Sequence, residues 1–430
     1  MGANAQLYFV AKVNEQTNGQ AKNMAINTRP TEPFISRVKI RNFKSIGKCD
    51  ISLSRLSVLI GRNGAGKSNF LDALRFVVDG LSTSLDHAIK ARGGTQLVRR
   101  KSTGHPRNFA IELTLNLPEM HVATYGFEIA ARTEGGFSVK REELRILNGS
   151  GRNVGHYSVA DGELKRSSEK FLPSPVADRL FLVVASGLAA FRPAYDALSS
   201  MGFYNLNPES MKEIQSPDSG ELLHRDGDNI ASVVGRMSND EKERAEAYLS
   251  KIVPGIEGVD RSTLGPRETL EFRQLVEGAE HPWKFLAANM SDGTLRALGV
   301  LIAAMQFAKP TGNAARLVGI EEPETALHPA AAKALMDALV EATMHTQVLI
   351  TTHSSELLDA MEFEPGSLFI VQSRAGETSI ARADPASREA IENHMYSAGE
   401  MLRMDQLEPD QNDLDRQANL TLFDFQEAAL

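Results

Sequence analysis

The stretch "GRNGAGKS", Gly61–Ser68, decides how the rest of the chain is read. Its spacing, G-x-x-x-x-G-K-S, is that of a P-loop, in which glycines let successive backbone N–H groups turn inward around phosphate oxygens. Such a loop needs a strand before it and a helix after it. "LSVLIG" precedes it, and in "SNFLDALRFVV" the residues Phe70, Leu71, Leu74, Val77 and Val78 recur on one helical face. The helix N-terminus would add positive potential. On this reading Gly61, Asn63, Gly64, Ala65, Gly66, Lys67, Ser68 and Asn69 form a nucleotide cradle. Lys67 would reach the β- and γ-phosphates, and the Ser68 hydroxyl would bind Mg2+.

Phosphoryl chemistry at a P-loop also needs carboxylates to hold magnesium and position water. "VGIEEPETALHP" supplies the candidates: an apolar strand (Leu317 to Ile320) ends in Glu321 and Glu322. Successive strand residues point in opposite directions, so each can take its own role, Glu321 on the metal and Glu322 on the attacking water. "QVLITTHSSE" places His353 at the end of another buried strand, where it could contact the γ-phosphate. "MSDGTLRALGVL" puts Ser291, Asp292 and Gly293 before an apolar helix (Thr294 to Ala308), as an N-cap that can double as an anion site.

From Met290 onward helices alternate with strands, including a helix from Pro329 to His345, which implies a parallel α/β sheet. Earlier, "FAIELTLNL" and "YGFEIAARTEGGFSVKREELRIL" alternate in the manner of antiparallel strands. The two α/β segments lie far apart in sequence. If they share a sheet, the middle of the chain is an insertion.

Composition agrees with a globular protein: 430 residues, 42% hydrophobic and 24% charged, with a single cysteine, Cys49, that excludes an internal disulfide and fits a reducing cytosol. "ALGVLIAAMQFA" (Ala297–Ala308) is too short to span a bilayer, and no signal peptide is evident. The net charge of −8 is uneven: fifteen Lys and Arg face four Asp and no Glu between Phe34 and Ala110. That basic stretch could meet phosphate of a nucleotide or of nucleic acid, or form a solvated face balancing the acidic remainder.

Taken together, "GRNGAGKSN", "MSDGT", "IEEPETALHP" and "ITTHS", in this order and preceded by "RVKIRNFKSI", resemble the ABC-type ATPase heads of the RecF, SMC and OLD families. The resemblance implies a P-loop NTPase of ABC-type head architecture, with a mixed, largely parallel sheet, an antiparallel β subdomain and an inserted, mostly helical lobe. It implies ATP and Mg2+ as ligands and a homodimer sandwiching two ATP molecules. Ser291 and Gly293 would then reach the partner's nucleotide in trans, Glu322 would be the catalytic glutamate, and His353 the switch histidine. Arg41, Asn42 and Lys44 would approach the nucleotide from the opening strand. The chain departs from the usual pattern in "MSDGT" for the signature and in Glu321 where aspartate is common. A Q-loop glutamine has no clear position, with Gln215 the one candidate.

The implied organisation is a flexible tail (1–33), an ATPase lobe with the antiparallel subdomain (34–147), the inserted lobe (148–289), the remaining ATPase motifs (290–395) and an acidic tail (396–430). The implied function is a cytoplasmic ATP-hydrolysing switch acting on DNA in anti-phage defence or repair, with a separately encoded effector and no membrane. The residues after His353 match no Toprim pattern, so no intrinsic nuclease is expected. The alternative is an ATP-gated scaffold or sensor that holds a partner protein without touching DNA. A transporter ATPase is disfavoured by the opening strands and by "LHP".

Overall fold

The computed structural model describes residues 32–102, 104, 106–132, 136–306, 315–361 and 366–423. Nearly all of the expected N-terminal tail, the last residues of the acidic tail, and the Phe307–Ala308 end of the expected signature helix therefore lie outside the described residues.

Sixteen strands are described, in chain order. The first group is β1 (Ile35–Phe43), β2 (Ile46–Ser52), β3 (Leu56–Ile60), β4 (Asn108–Leu117), β5 (His121–Ala131), β6 (Phe137–Leu147), β7 (Asn153–Ala160), β8 (Glu163–Ser167) and β9 (Gly202–Tyr204). The second is β10 (Ile256–Leu264), β11 (Arg267–Gln274), β12 (Trp283–Leu286), β13 (Leu317–Glu321), β14 (Gln347–Thr352), β15 (Leu368–Arg374) and β16 (Glu377–Arg382). Among the described residues thirteen of them form one sheet, in the order β8-β7-β6-β5-β4-β1-β2-β16-β15-β3-β14-β13-β9, and β10, β11 and β12 form a second.

The large sheet has two characters. From β9 to β15 the strands run parallel, with β14 between β13 and β3 and β15 on the other side of β3. These strands are buried on both faces, which is why their sequences are continuously apolar. From β8 to β1 the strands are antiparallel and alternate: Val38 and Ile40 face the core, while Arg37, Lys39 and Arg41 face outward.

The parallel half separates two apolar cores. On one face the helix Lys67–Ser82 packs Phe70, Leu71 and Phe76 with Leu59, Leu317 and Leu349. Phe76 meets Phe43 and Phe109 edge to face at 5.8 and 5.4 Å. On the other face Val58, Ile60, Ile320 and Ile350 meet the helices Asp292–Met305 and Ala332–Ala342. Strand alternation sends β3, β13 and β14 side chains into both cores.

Three expectations are revised. The antiparallel end continues through β7 and β8, beyond Leu147, and β9 joins the large sheet beside β13. The inserted region is not mostly helical, because β10–β12 form its antiparallel sheet beside the helix Asn239–Ile252. The acidic stretch after Tyr396 is built into the fold up to Phe423. It carries the helices Ala398–Arg403 and Gln411–Ala418, and its acids are paired, Asp410 with Arg388 at 3.1 Å and Asp413 with Arg382 at 2.8 Å.

Candidate functional site

Parallel pairing sets the site. Glu321 stands opposite Thr351, Thr352 opposite Ile60, and Ile60 opposite Ile370, so β13, β14 and β3 end at one edge. The residues that follow these strands, Glu322, His353 and Gly61, are brought together from three distant stretches.

The loop after β3 is braced from behind. Thr378 of β16 donates to Ala65 O at 2.7 Å and exchanges a hydrogen bond with Ser45 Oγ at 2.7 Å, and Asn69 Nδ2 donates to the same Ser45 oxygen at 2.6 Å. Gly66 has φ 106°, and a Cβ there would stand 2.1 Å from Thr378 Oγ1, so only glycine fits. The helix begins at Lys67 with no side-chain cap and no acid in its first turn. Its N-terminal N–H groups and dipole are thus left for an anion. Lys67 is buried, and its ammonium donates to Gly61 O at 2.7 Å and Arg62 O at 3.3 Å. Burial pulls its pKa down, opposed by the charges of Glu322 and Glu324.

The two adjacent glutamates meet different partners. Glu322 adopts φ 45° while its N–H donates to Thr351 O at 2.9 Å, which turns the chain as β13 ends. Its Oε1 lies 3.9 Å from Lys67 Nζ and 3.3 Å from His353 Nδ1. Glu321 Oε1 instead accepts from Arg225 at 3.1 Å. Arg296, from the helix Asp292–Met305, donates to Glu321 O at 3.0 Å, Glu322 O at 3.1 Å and Leu206 O at 2.5 Å, and so clamps the backbone of this turn.

Glu324 is a third carboxylate at the same edge. Its Oε1 accepts from Thr352 Oγ1 at 2.5 Å, and its Oε2 is buried without a hydrogen-bond partner. Burial raises its pKa, against the Thr352 hydrogen bond and the charge of His353.

Ser291 caps its helix by accepting from Thr294 N at 3.1 Å, and Asp292 pairs with Lys212 at 2.6 Å. A Cβ on Gly293 would meet Ala326 O at 2.4 Å, so the signature turn packs on the turn that follows the glutamates. Arg41 pairs with Glu128 at 3.2 Å and Lys44 with Asp72 at 2.7 Å, and these cations are engaged within the chain. Much of the basic stretch is paired in the same way, Arg37 with Asp50, Lys39 with Glu112, Arg92 with Asp72 and Arg100 with Glu377. Gln215 is buried in the inserted region, where its amide bonds Ala231 N and Gly227 O.

Sequence reasoning missed Ser45, Thr378, Arg225, Arg296, Glu324 and Thr352. Glu324 had a signal, being the third acid of "EEPETALHP". Ser45, Arg296 and Thr352 lie within the motif stretches beside residues that were singled out, whereas Arg225 and Thr378 come from remote segments and carried no signal.

The donor set at this edge suits magnesium. Ser68 is exposed at the first helical turn and Glu321 is partly exposed, so both offer hard oxygen donors. No cluster of three His, Cys, Asp or Glu able to hold a metal occurs among the described residues. The remaining positions would fall to phosphate and water, as is usual for this ion. No described helix is long and apolar enough to cross a membrane.

Residues 56–359 match the family described as "AAA domain, putative AbiEii toxin, Type IV TA system". A 44-residue segment is 46% identical to endonuclease GajA of Bacillus cereus (strain VD045), spanning 10% of this chain and 8% of that endonuclease. Among solved structures, an Smc head bound to the C-terminal winged-helix domain of ScpA covers 83% of this chain and 99% of its own, at 15% identity and TM-score 0.50. An Smc head with an extended coiled coil, bound to the C-terminal domain of ScpA from Pyrococcus furiosus, covers 84% of this chain and 99% of its own, at 14% identity and TM-score 0.51.

Proposed function

The chain belongs to the family described as AAA domain, putative AbiEii toxin, Type IV TA system, as an ABC-type ATPase head of the SMC and OLD class, and from that premise we propose an ATP-hydrolysing dimeric switch. The observation that carries this reading is Glu322 set between Lys67 at 3.9 Å and His353 at 3.3 Å at the end of the parallel strands.

In this reading Lys67 and the loop Gly61–Gly66 bind and orient the phosphates of ATP. Ser68 and Glu321 would hold Mg2+, which supplies positive charge against the phosphate oxygens. Glu322 orients water for in-line attack on the γ-phosphorus and accepts its proton, while the bond from the γ-phosphorus to the β–γ bridging oxygen breaks. His353, whose Nδ1 lies 3.3 Å from Glu322 Oε1, senses the γ-phosphate. Ser291 and Gly293 act in trans on the nucleotide of a second copy, a reading supported by the exposure of Ser291 at the start of its helix. A phosphate-release assay on the purified chain tests this, with Lys67→Ala abolishing nucleotide binding and Glu322→Gln retaining it without turnover. A Glu322→Gln chain that hydrolyses ATP at the wild-type rate would sink the assignment.

DNA, in defence or repair with a separately encoded effector and no intrinsic nuclease, is the partner proposed for the switch. A second reading has a specific observation in its favour. The ion pairing of Arg37, Lys39, Arg41, Lys44, Arg92 and Arg100 removes much of the basic stretch as a phosphate-binding surface. That favours a scaffold holding a protein partner. ATPase activity stimulated by DNA and falling steeply with salt supports the first reading; indifference to DNA supports the second.

A further inference from the structure

Gln215, the candidate for a Q-loop glutamine, is bonded inside the inserted region, to Ala231 N and Gly227 O. A different residue connects that region to the nucleotide edge. Arg225 lies in the inserted region, yet its guanidinium donates to Glu321 Oε1 at 3.1 Å. Its backbone is fixed to the sheet, since Asn205 N donates to Arg225 O at 2.9 Å and Asn207 N to Asp226 O at 3.0 Å. Those residues follow β9, which pairs Tyr204 with Ile320 beside Glu321. The same segment then forms the helix Pro208–Lys212, whose Lys212 holds Asp292 of the signature turn at 2.6 Å. Leu206 O, between the two, accepts from Arg296, which also grips Glu321 O.

We propose that Arg225 stands in for the metal ion: it neutralises Glu321 while the site is empty and gives it up when magnesium and nucleotide bind, loosening the segment Asn205–Lys212 that holds the signature turn. This rests on the reading of Glu321 as the metal carboxylate. The exchange is one of charge. A carboxylate beside a guanidinium and a carboxylate beside Mg2+ are both compensated, so the two cations compete for one acceptor. A neighbour favours release once the metal arrives. Arg75, on the helix Lys67–Ser82, has its pKa lowered first by burial and further by the charge of Arg225. Asp72 at 2.8 Å and Asp79 at 3.6 Å compensate Arg75 in part; with Glu321 taken by the metal, Arg225 loses its own partner beside that cation and, half exposed, has solvent to move into.

The test is equilibrium binding of a fluorescent, slowly hydrolysed ATP analogue to the full chain, with excess magnesium or with a chelator. Arg225→Ala should tighten binding in magnesium by about twofold to fivefold, the range of a half-exposed ion pair, and leave binding in chelator unchanged. Arg225→Lys should stay near wild type. Hydrogen exchange at 205–212 should quicken in the wild type on adding magnesium and analogue, and should be quick in Arg225→Ala from the start. Weaker or unaltered binding of Arg225→Ala in magnesium overturns the proposal, as does an equal change in chelator. Glu321→Gln separates the two readings. It should lose the magnesium advantage, and adding Arg225→Ala to it should change nothing. If Glu321→Gln keeps that advantage, the metal assignment itself fails, and the proposal with it.

Discussion

Two carboxylates toward opposite ends of one sheet, one fully buried and one partly, show how structure and function differ in this molecule. Glu142, on β6 in the antiparallel end, is fully buried. It accepts hydrogen bonds from Tyr125 OH at 3.1 Å, Tyr157 OH at 2.8 Å, Leu182 N at 2.8 Å and Phe181 N. Burial raises its pKa, and those four donors oppose the shift. Glu324, at the parallel edge, has one hydroxyl partner and one buried oxygen with none. A fully satisfied network anchors a fold, here the start of the helix Leu182–Ala185 against the sheet. An incompletely satisfied one stores a cost that a catalytic site can use.

The contrast can be broken or sharpened by substitution. The largest effect is expected at the parallel edge: Glu322→Gln should lower the ATP turnover rate by about 10²–10⁴-fold, the range of a lost general base, with little change in the urea unfolding midpoint. A comparable loss of stability with intact turnover would reverse the roles given to the two ends.

Next comes the anchor. Glu142→Ala leaves four donors without an acceptor and should cost about 3–5 kcal/mol in urea unfolding. Glu142→Gln should cost less, about 1–2 kcal/mol, because one amide oxygen can keep the three donors that Oε1 holds. Equal costs for the two variants would mean the site is felt as volume rather than as hydrogen bonding.

A smaller, pH-dependent effect is expected at Glu324. Its folded pKa is raised, first by burial, so the folded chain binds that proton more tightly than the unfolded chain. Its contribution to stability therefore falls as pH rises from the ordinary carboxylate range through the folded value. Glu324→Gln removes that fall and keeps an oxygen for Thr352. Thermal melts over a pH series should show the variant gaining on the wild type as pH rises, and no gain in acid. A gain that is flat with pH would place the effect elsewhere.

The smallest effect serves as the control. Arg62 and Asp405 pair at 2.7 Å with both side chains largely exposed, so Asp405→Asn should change stability by less than about 1 kcal/mol in the same melts.

How much of this was legible varied with distance along the chain. The loop Gly61–Ser68 could be read because its chemistry needs adjacent residues: glycine freedom, one lysine and one hydroxyl at set positions. Glu321, Glu322 and His353 could be read because each ends a short apolar strand, and such strands belong inside a parallel sheet. The β4–β6 hairpins showed as alternation. The strands of the inserted region are hard to read because β10–β12 alternate weakly among polar residues, and only pairing with one another makes them strands. The basic stretch looked like a patch since its partners, among them Glu112, Glu128 and Glu377, lie outside it in sequence.

By itself, then, the sequence determined which local pieces could cradle phosphate and carry carboxylates, because those properties reside in side chains and backbone freedom at neighbouring positions. Only the tertiary structure decided which pieces meet. Thr378 braces Ala65 from 313 positions away, and Arg225 reaches Glu321 across 96. Contacts of that span leave no local periodicity, since they depend on the order of strands in the sheet rather than on the residues beside them. That order is what turned two glutamates at a strand end into one that faces Lys67 and His353 and one held by an arginine of the insertion.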